Sequence, residues 1–188
     1  MALEYAILGF LNYGAFSGYD LKKAFDASIA HFWSANQSHI YRTLARLAED
    51  ELVVVEVVEQ DEHPDRKIYH ITEAGRDALH TWLMTPLPFE PTRSPALIQT
   101  FFSGMLSNQA ILSVLEYRAQ TLRVLLQAFS QLPAQSQAYI QMIQSPRDVF
   151  FWTMTLEYGI MLAQTKLQWT EMVIARLRHQ EEHGEEFS

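Results

Sequence analysis

Cysteine is missing altogether from this 188-residue chain, which excludes disulfides, thiolate metal sites and cysteine nucleophiles. Glycine is scarce, at seven residues, and no glycine-rich phosphate-cradling loop is formed from them. Long uncharged apolar runs are missing too: no stretch approaches the ~20 residues needed to span a bilayer. The apolar start, MALEYAILGFLNYG, has no basic leader and carries Glu4, so it does not read as a signal peptide. Basic residues are outnumbered, with 14 Lys and Arg against 22 Asp and Glu, for a net charge of −8. The expectation is a soluble cytoplasmic protein with no membrane partner, no metal and no cofactor. The acidic balance also counts against loose binding to phosphate backbones, which ordinarily leaves a basic footprint.

What the chain does have is apolar content, 48%, enough for one sizeable core or two smaller ones. Its charge is also unevenly spread. Residues 1–84 hold seven Lys and Arg against thirteen Asp and Glu, but the acids gather at 49–51, 56–59 and 61–65. Between Asn36 and Ala48 there are His39, Arg42 and Arg46 and no acid. A groove-facing patch can be positive on an acidic protein, and the acidic remainder then limits non-specific binding.

That basic stretch is the most telling segment. Ile40, Leu44 and Leu47 recur at helical spacing, which predicts an amphipathic helix over 36–50. Its other face carries Gln37, Ser38, Tyr41, Arg42 and Arg46. A β-branched run from Leu52, a polar turn at 61–65 containing Pro64, and a returning strand over 67–71 predict a hairpin. A groove-sized helix backed by a two-stranded wing is a DNA-reading arrangement. Arg42 can donate twice to a guanine edge, Gln37 can pair with an adenine, and Tyr41 can reach a phosphate or a thymine methyl. Arg66 and Lys67 at the wing base are expected on phosphates, and Lys22 and Lys23 on the preceding helix read equally as phosphate contacts or as soluble surface. The tip of the wing is acidic (Asp61, Glu62, Asp65), which favours its base over its tip.

Helices are expected at 2–12, 18–30 and 36–50, the wing at 52–71 and a fourth helix at 72–84. Ala6, Ile7, Phe10 and Leu11 face inward on the first, and Leu21, Phe25 and Ile29 on the second. Residues 14–18 read as a turn with Ser17 as N-cap, and Thr72 reads as a cap with Gly75 allowing close packing. Four prolines (Pro86, Pro88, Pro91, Pro95) mark a stiff linker over 85–95. Beyond it helices are expected at 95–105, 108–131 (ended by Pro133) and 146–180, with a polar connector or short helix at 134–145 and an acidic tail at 181–188. The fold class is therefore mostly α with a small β-hairpin: a winged helix-turn-helix domain over 1–84 and a helical dimerisation domain over 96–180. In the last helix Val149, Trp152, Leu156, Ile160, Leu167 and Ile174 follow near-heptad spacing, so this seam is expected to pack on a second copy. Phe101, Phe102, Phe151 and Trp152 could line a pocket for a flat apolar or aromatic effector, although core or dimer packing explains such a series more simply.

Four segments of this chain together resemble the PadR family of winged helix-turn-helix transcriptional regulators: Leu8-Gly9-Phe10-Leu11; Gly18-Tyr19-Asp20-Leu21; the run from Ile40 to Leu47; and Tyr69-His70-Ile71-Thr72-Glu73-Ala74-Gly75-Arg76. The resemblance implies a homodimer that binds palindromic operator DNA, usually as a repressor, with release by a small molecule in some members. Family members commonly carry glycine after the recognition helix, where this chain has Glu51, so the helix either runs on or ends in a left-handed glutamate. Tyr19 is expected to pack rather than recognise.

Two other readings bear weighing. An acidic winged-helix module could dock a basic protein and read no DNA. His179-Gln-Glu-Glu182-His183 matches a zinc-peptidase pattern in its letters, but it stands in a charged tail, so no catalytic site is expected.

Overall fold

The computed structural model describes residues 2–30, 32–59, 65–89, 93–135 and 145–183. The acidic wing tip at Asp61 and Glu62, Pro91 of the linker, most of the connector and the last residues of the tail lie outside them. The chain divides into two compact units, Met1–Pro88 with Pro133–Val149, and Phe89–Leu132 with Phe150–Ser188.

The first unit contains α1 (Ala2–Tyr13), β1 (Phe16–Ser17), α2 (Gly18–Ser28), α3 (Gln37–Glu49), β2 (Val53–Val58), β3 (Arg66–Ile71) and α4 (Glu73–Met84). Its core joins Ile7, Leu8 and Leu11 of α1 to Leu21 and Phe25 of α2 and Ile40, Leu44 and Leu47 of α3. These are the inward stripes set by helical periodicity, each large aliphatic contributing about 1.5–3 kcal/mol when fully buried. Val53, Tyr69 and Ile71 close the core from the sheet. Tyr5 of α1 stacks on Trp82 of α4 with ring centroids 4.7 Å apart.

The hairpin is not alone. A third strand, β1, pairs antiparallel with β3, giving the order β1-β3-β2, with Phe16 opposite Tyr69 and Ser17 opposite Ile68. The sequence predicts only a turn over 14–18, because two residues are too short to display an alternating pattern. Ser17 does cap α2: its hydroxyl accepts the Asp20 N–H at 3.1 Å and donates to the Asp20 carboxylate at 2.6 Å.

The second unit contains α5 (Pro95–Phe101), a 3-10 turn (Ser103–Met105), most of α6 (Asn108–Gln135) and most of α7 (Pro146–His183). At 38 residues, α7 is ~57 Å long. It pairs antiparallel with α6. Arg123 donates to Glu171 at 2.7 Å and Arg178 to Glu116 at 2.6 Å, so the two ties stand one heptad apart on both helices. Along the seam Ile111, Leu115 and Ala119 of α6 pack on Ile174 and Leu177 of α7, with Leu167 against the cluster. Thr170 is fully buried there, its hydroxyl satisfied by the Lys166 carbonyl at 2.8 Å. Thus Ile174, expected to meet a second copy, is buried against α6 of its own chain, and Leu167, expected there too, is partly buried against the same cluster. The helix at 108–131 is legible in the sequence, but the match between its stripe and that of α7 is not.

Two boundaries also differ. The expected helix at 95–105 stops at Phe101 and tightens into a 3-10 turn. Helix α6 passes through Pro133, where the sequence predicts its end, and stops at Gln135. Proline lacks an N–H to donate but its fixed φ suits a helix, so near a helix end the cost is one bond of the last turn.

Candidate nucleic-acid interface

Helix α3 is started by Asn36, whose side-chain oxygen accepts the His39 N–H at 2.8 Å. With Ile40, Leu44 and Leu47 buried, helical spacing turns Ser38 and Arg42 directly outward, and Gln37, Ser38, Tyr41 and Arg42 are all exposed. Tyr41 leans sideways over the start of α2. A Cβ added at Gly18 would stand 2.6 Å from the Tyr41 ring, so the missing side chain is what admits the tyrosine.

An open cleft of about 520 Å³ lies beside it, lined by Ser17, Gly18, Tyr19, Asp20, Tyr41, Asp65, Arg66 and Lys67. It joins the first turn of α2, one flank of the recognition helix and the base of the wing. The amide end of α2 carries partial positive charge and Lys67 adds a full one, set against the carboxylates of Asp20 and Asp65 in the same lining. Tyr19 is 55% exposed in this cleft, contrary to its expected packing role, and the Lys23 amine sits 4.4 Å from its ring centre.

The basic residues expected at the interface fall into two groups. Among the described residues, Lys22 is paired with Asp26, Arg46 with Glu4 of α1, and Arg66 with Asp20. Arg46 therefore braces α3 to α1 instead of standing on the outward stripe. Arg42 and Lys67 have no carboxylate partner among the described residues; the Arg42 Nε reaches only the Ser38 carbonyl, at 3.4 Å. Burial raises the Asp20 carboxyl, but the Ser17 hydroxyl and the Arg66 guanidinium together bring it below the ordinary aspartate range. Burial, and then the neighbouring Tyr41, push the Tyr69 phenol upward.

A family model described as the transcriptional regulator PadR-like family matches residues 7–81. Curated relatives agree with it. The negative transcriptional regulator PadR of Bacillus subtilis is 35% identical over 109 residues, covering 57% of this chain and 59% of the relative. The chain carries a PadR-like domain. A probable transcriptional regulator of Mycobacterium tuberculosis is 44% identical over 98 residues, 52% of each chain. The matches thus span little more than half the length of these curated relatives. A second family model, described as virulence activator alpha C-term, matches residues 92–178. Solved structures extend the likeness along the chain. Bacillus subtilis PadR in complex with operator DNA aligns with a TM-score of 0.80 at 26% identity, over 94% of this chain and 99% of that one. The same protein in complex with p-coumaric acid aligns at 0.75 and 25% identity, over 95% and 99%.

At the end of α3, the PadR-like domain answers the glutamate question directly. The helix stops at Glu49, and Glu51 has a φ of 58°, the one positive φ at a non-glycine among the described residues. The Leu52 N–H reaches the Leu47 carbonyl at 2.9 Å and the Glu51 N–H the Ala48 carbonyl at 3.2 Å, the paired bonds of a Schellman turn. Thr72 holds the turn from outside. Its hydroxyl donates to the Glu51 carbonyl at 2.9 Å while accepting the Gly75 N–H at 3.0 Å, and its N–H reaches the Leu52 carbonyl at 3.1 Å. The strained residue is thus clamped by the N-cap of α4.

Sequence reasoning missed Gly18, which admits Tyr41, and Asp20, which holds Arg66. The Ser17-x-x-Asp20 spacing of a capping box was available as a signal. In the helical unit, Phe101 meets Phe102 edge-on at 5.0 Å, and Phe150 meets Phe151 at 5.3 Å. Phe101 is 82% exposed, and Trp152 is half-buried. A cavity of about 20 Å³ near Gln99, Leu106 and Arg118 holds about one water and no aromatic effector. His179 and His183 stack at 4.1 Å, with the His183 Nδ1 against the His179 carbonyl. Among the described residues no group of three His, Cys, Asp or Glu could hold a metal ion, and no helix is long and apolar enough to cross a membrane.

Proposed function

We propose that this chain is a transcriptional regulator that reads operator DNA as a homodimer, acting in the cytoplasm and as a repressor. One observation carries the reading: Gln37, Ser38, Tyr41 and Arg42 are exposed on a capped helix, beside a cleft that contains Lys67 and the amide end of α2. Ser38 and Arg42 are offered to base edges, Tyr41, Lys23 and Lys67 to phosphates. The operator-bound relative supports this, and the relative named as a negative regulator supports repression.

The dimer reading draws on the second unit. Phe151, Met154, Tyr158 and Met161 form an exposed stripe on the first half of α7, next to the half-buried Val149, Trp152, Leu156 and Ile160. Exposed apolar surface of this kind marks an association face. Two recognition helices related by a two-fold axis would read half-sites about one helical turn apart. Release by a small aromatic acid is the regulatory part of the proposal. It is supported by the relative solved with p-coumaric acid and by the aromatic residues Phe101, Phe102, Phe151 and Trp152.

Selection of bound genomic fragments, followed by salt titration of a mobility shift, tests the reading. Arg42→Ala is expected to cost about 1–3 kcal/mol and to relax preference at one symmetric pair of positions. Equal binding to all fragments, with Arg42→Ala behaving as wild type, would defeat DNA reading and leave the basic-partner module standing.

A further inference from the structure

We propose that Arg66 is a positioning residue that braces the wing against α2, leaving Lys67 as the phosphate contact of the wing base. This rests on the DNA-binding reading. Successive residues of a strand point to opposite faces, so Arg66 and Lys67 reach the cleft that both line from opposite sides of β3. Lys67 shares its face with Tyr69, whose phenol lies near Tyr41 of the recognition helix. Arg66 shares its face with Ile68, which stands opposite Ser17. From there its guanidinium meets the Asp20 carboxylate.

That carboxylate is already fixed before the arginine reaches it, because the Ser17 hydroxyl donates to it at 2.6 Å. The pairing also falls where the sheet needs it. Strand β1 pairs only with Ile68 and Tyr69, so beyond Ile68 the wing continues as two strands, an arrangement with little stability of its own. Arg66, two residues past that limit, ties the hairpin back to the first turn of α2. A guanidinium neutralised in this way offers phosphate little net charge, whereas Lys67 has no carboxylate partner among the described residues.

The test uses the full chain and a fluorescent random-sequence duplex, long enough for one dimer, titrated with salt. Lys67→Gln is expected to lower the slope of log K against log salt by about 0.9 for each phosphate it no longer neutralises. Arg66→Gln is expected to keep the wild-type slope while weakening binding about two- to fivefold, the scale of one partly exposed ion pair. Asp20→Asn should weaken it equally, and the double variant no further. An Arg66→Gln slope that falls like that of Lys67→Gln, or an Asp20→Asn protein that binds more tightly, would overturn the brace. If wild type shows no salt-dependent binding, the DNA reading itself fails. Thermal melting then still decides the brace: non-additive Arg66→Gln and Asp20→Asn shifts uphold it, and additive ones reject it.

Discussion

The two units bury their apolar residues very differently. Among the largest fully buried side chains of the described residues, Phe25, Ile7, Leu8, Leu21, Ile40, Leu44 and Leu47 belong to the first unit, and only Thr170 belongs to the second. The second unit leaves Phe101 at 82% exposure, Met105 at 85% and Tyr158 at 64%. The first unit closes its own core and turns a polar stripe outward, which suits a polar partner such as a nucleic-acid groove. The second is an antiparallel helix pair whose inner seam is filled while Phe151, Met154, Tyr158 and Met161 stay exposed on the first half of its long helix. It is only half covered. An apolar surface of that extent favours a partner equally apolar, and a second copy supplies one by symmetry.

The largest expected effect tests that half-covered face. Tyr158→Lys with Met161→Lys puts two charges into the proposed interface while removing nothing packed within the chain. Association is expected to weaken by about 4 kcal/mol, roughly a thousandfold, seen in sedimentation as a fall to one chain. The first unit should melt as in wild type. A dimer of unchanged affinity would move the interface elsewhere. Leu167→Lys is the complementary break: because Leu167 packs on α6, it should unfold the helix pair itself.

The next effect belongs to the closed core. A Cβ at Gly75 would lie 2.2 Å from the Leu52 carbonyl oxygen and 2.8 Å from Ile71 Cγ1. Neither backbone nor packed core yields easily, so Gly75→Ala is expected to cost about 1–3 kcal/mol in urea unfolding. Gly104 in the second unit has nothing within 4 Å of the same added atom. Gly104→Ala should leave the midpoint almost unmoved. Equal sensitivity at the two glycines would erase the contrast between a filled unit and an open one.

The closed unit is also the more legible from sequence. Ile40, Leu44 and Leu47 announce their helix because one face is buried and the other wet, the condition under which periodicity is a signal. Ser17 and Thr72 announce helix starts because capping chemistry is local. What sequence does not display is the partner of an interaction distant in the chain. Arg46 and Arg66 look alike as exposed cations until Glu4 and Asp20 are found beside them. Helix α7 shows the same limit. Its heptad positions are visible, but nothing local tells whether Leu167 and Ile174 meet α6 or a second copy.

Glu51 offers a smaller test of how the recognition helix is ended. Its positive φ strains a residue with a Cβ, and glycine removes that strain. Glu51→Gly is therefore expected to stabilise the first unit by about 0.5–1 kcal/mol, partly offset by the freer unfolded chain. The Schellman bonds and the Thr72 clamp involve backbone atoms of residue 51, so they persist in the variant. A lower denaturation midpoint would mean that the Glu51 side chain gives more to the fold than its backbone costs.

The smallest expected effect is acid dependence at the joint between α2 and the wing. The Asp20 carboxyl lies below its ordinary value of 3.8 in the folded protein, so the fold binds its proton less readily than the unfolded chain does. Stability from this group is therefore complete above the unfolded value and lost as pH falls through the lower, folded one. Asp20→Asn should lower the melting temperature slightly at neutral pH, since it removes the charge that Arg66 and Ser17 hold. As pH falls through that lower, folded value the wild-type carboxylate protonates, and the two melting curves should converge. The pair is partly exposed, with 34% of the Asp20 side chain accessible, so solvent screens it and the separation will be small. Curves that stay parallel into acid would place the contribution of Asp20 in its uncharged contacts, and would leave the wing tied to α2 by β1 alone.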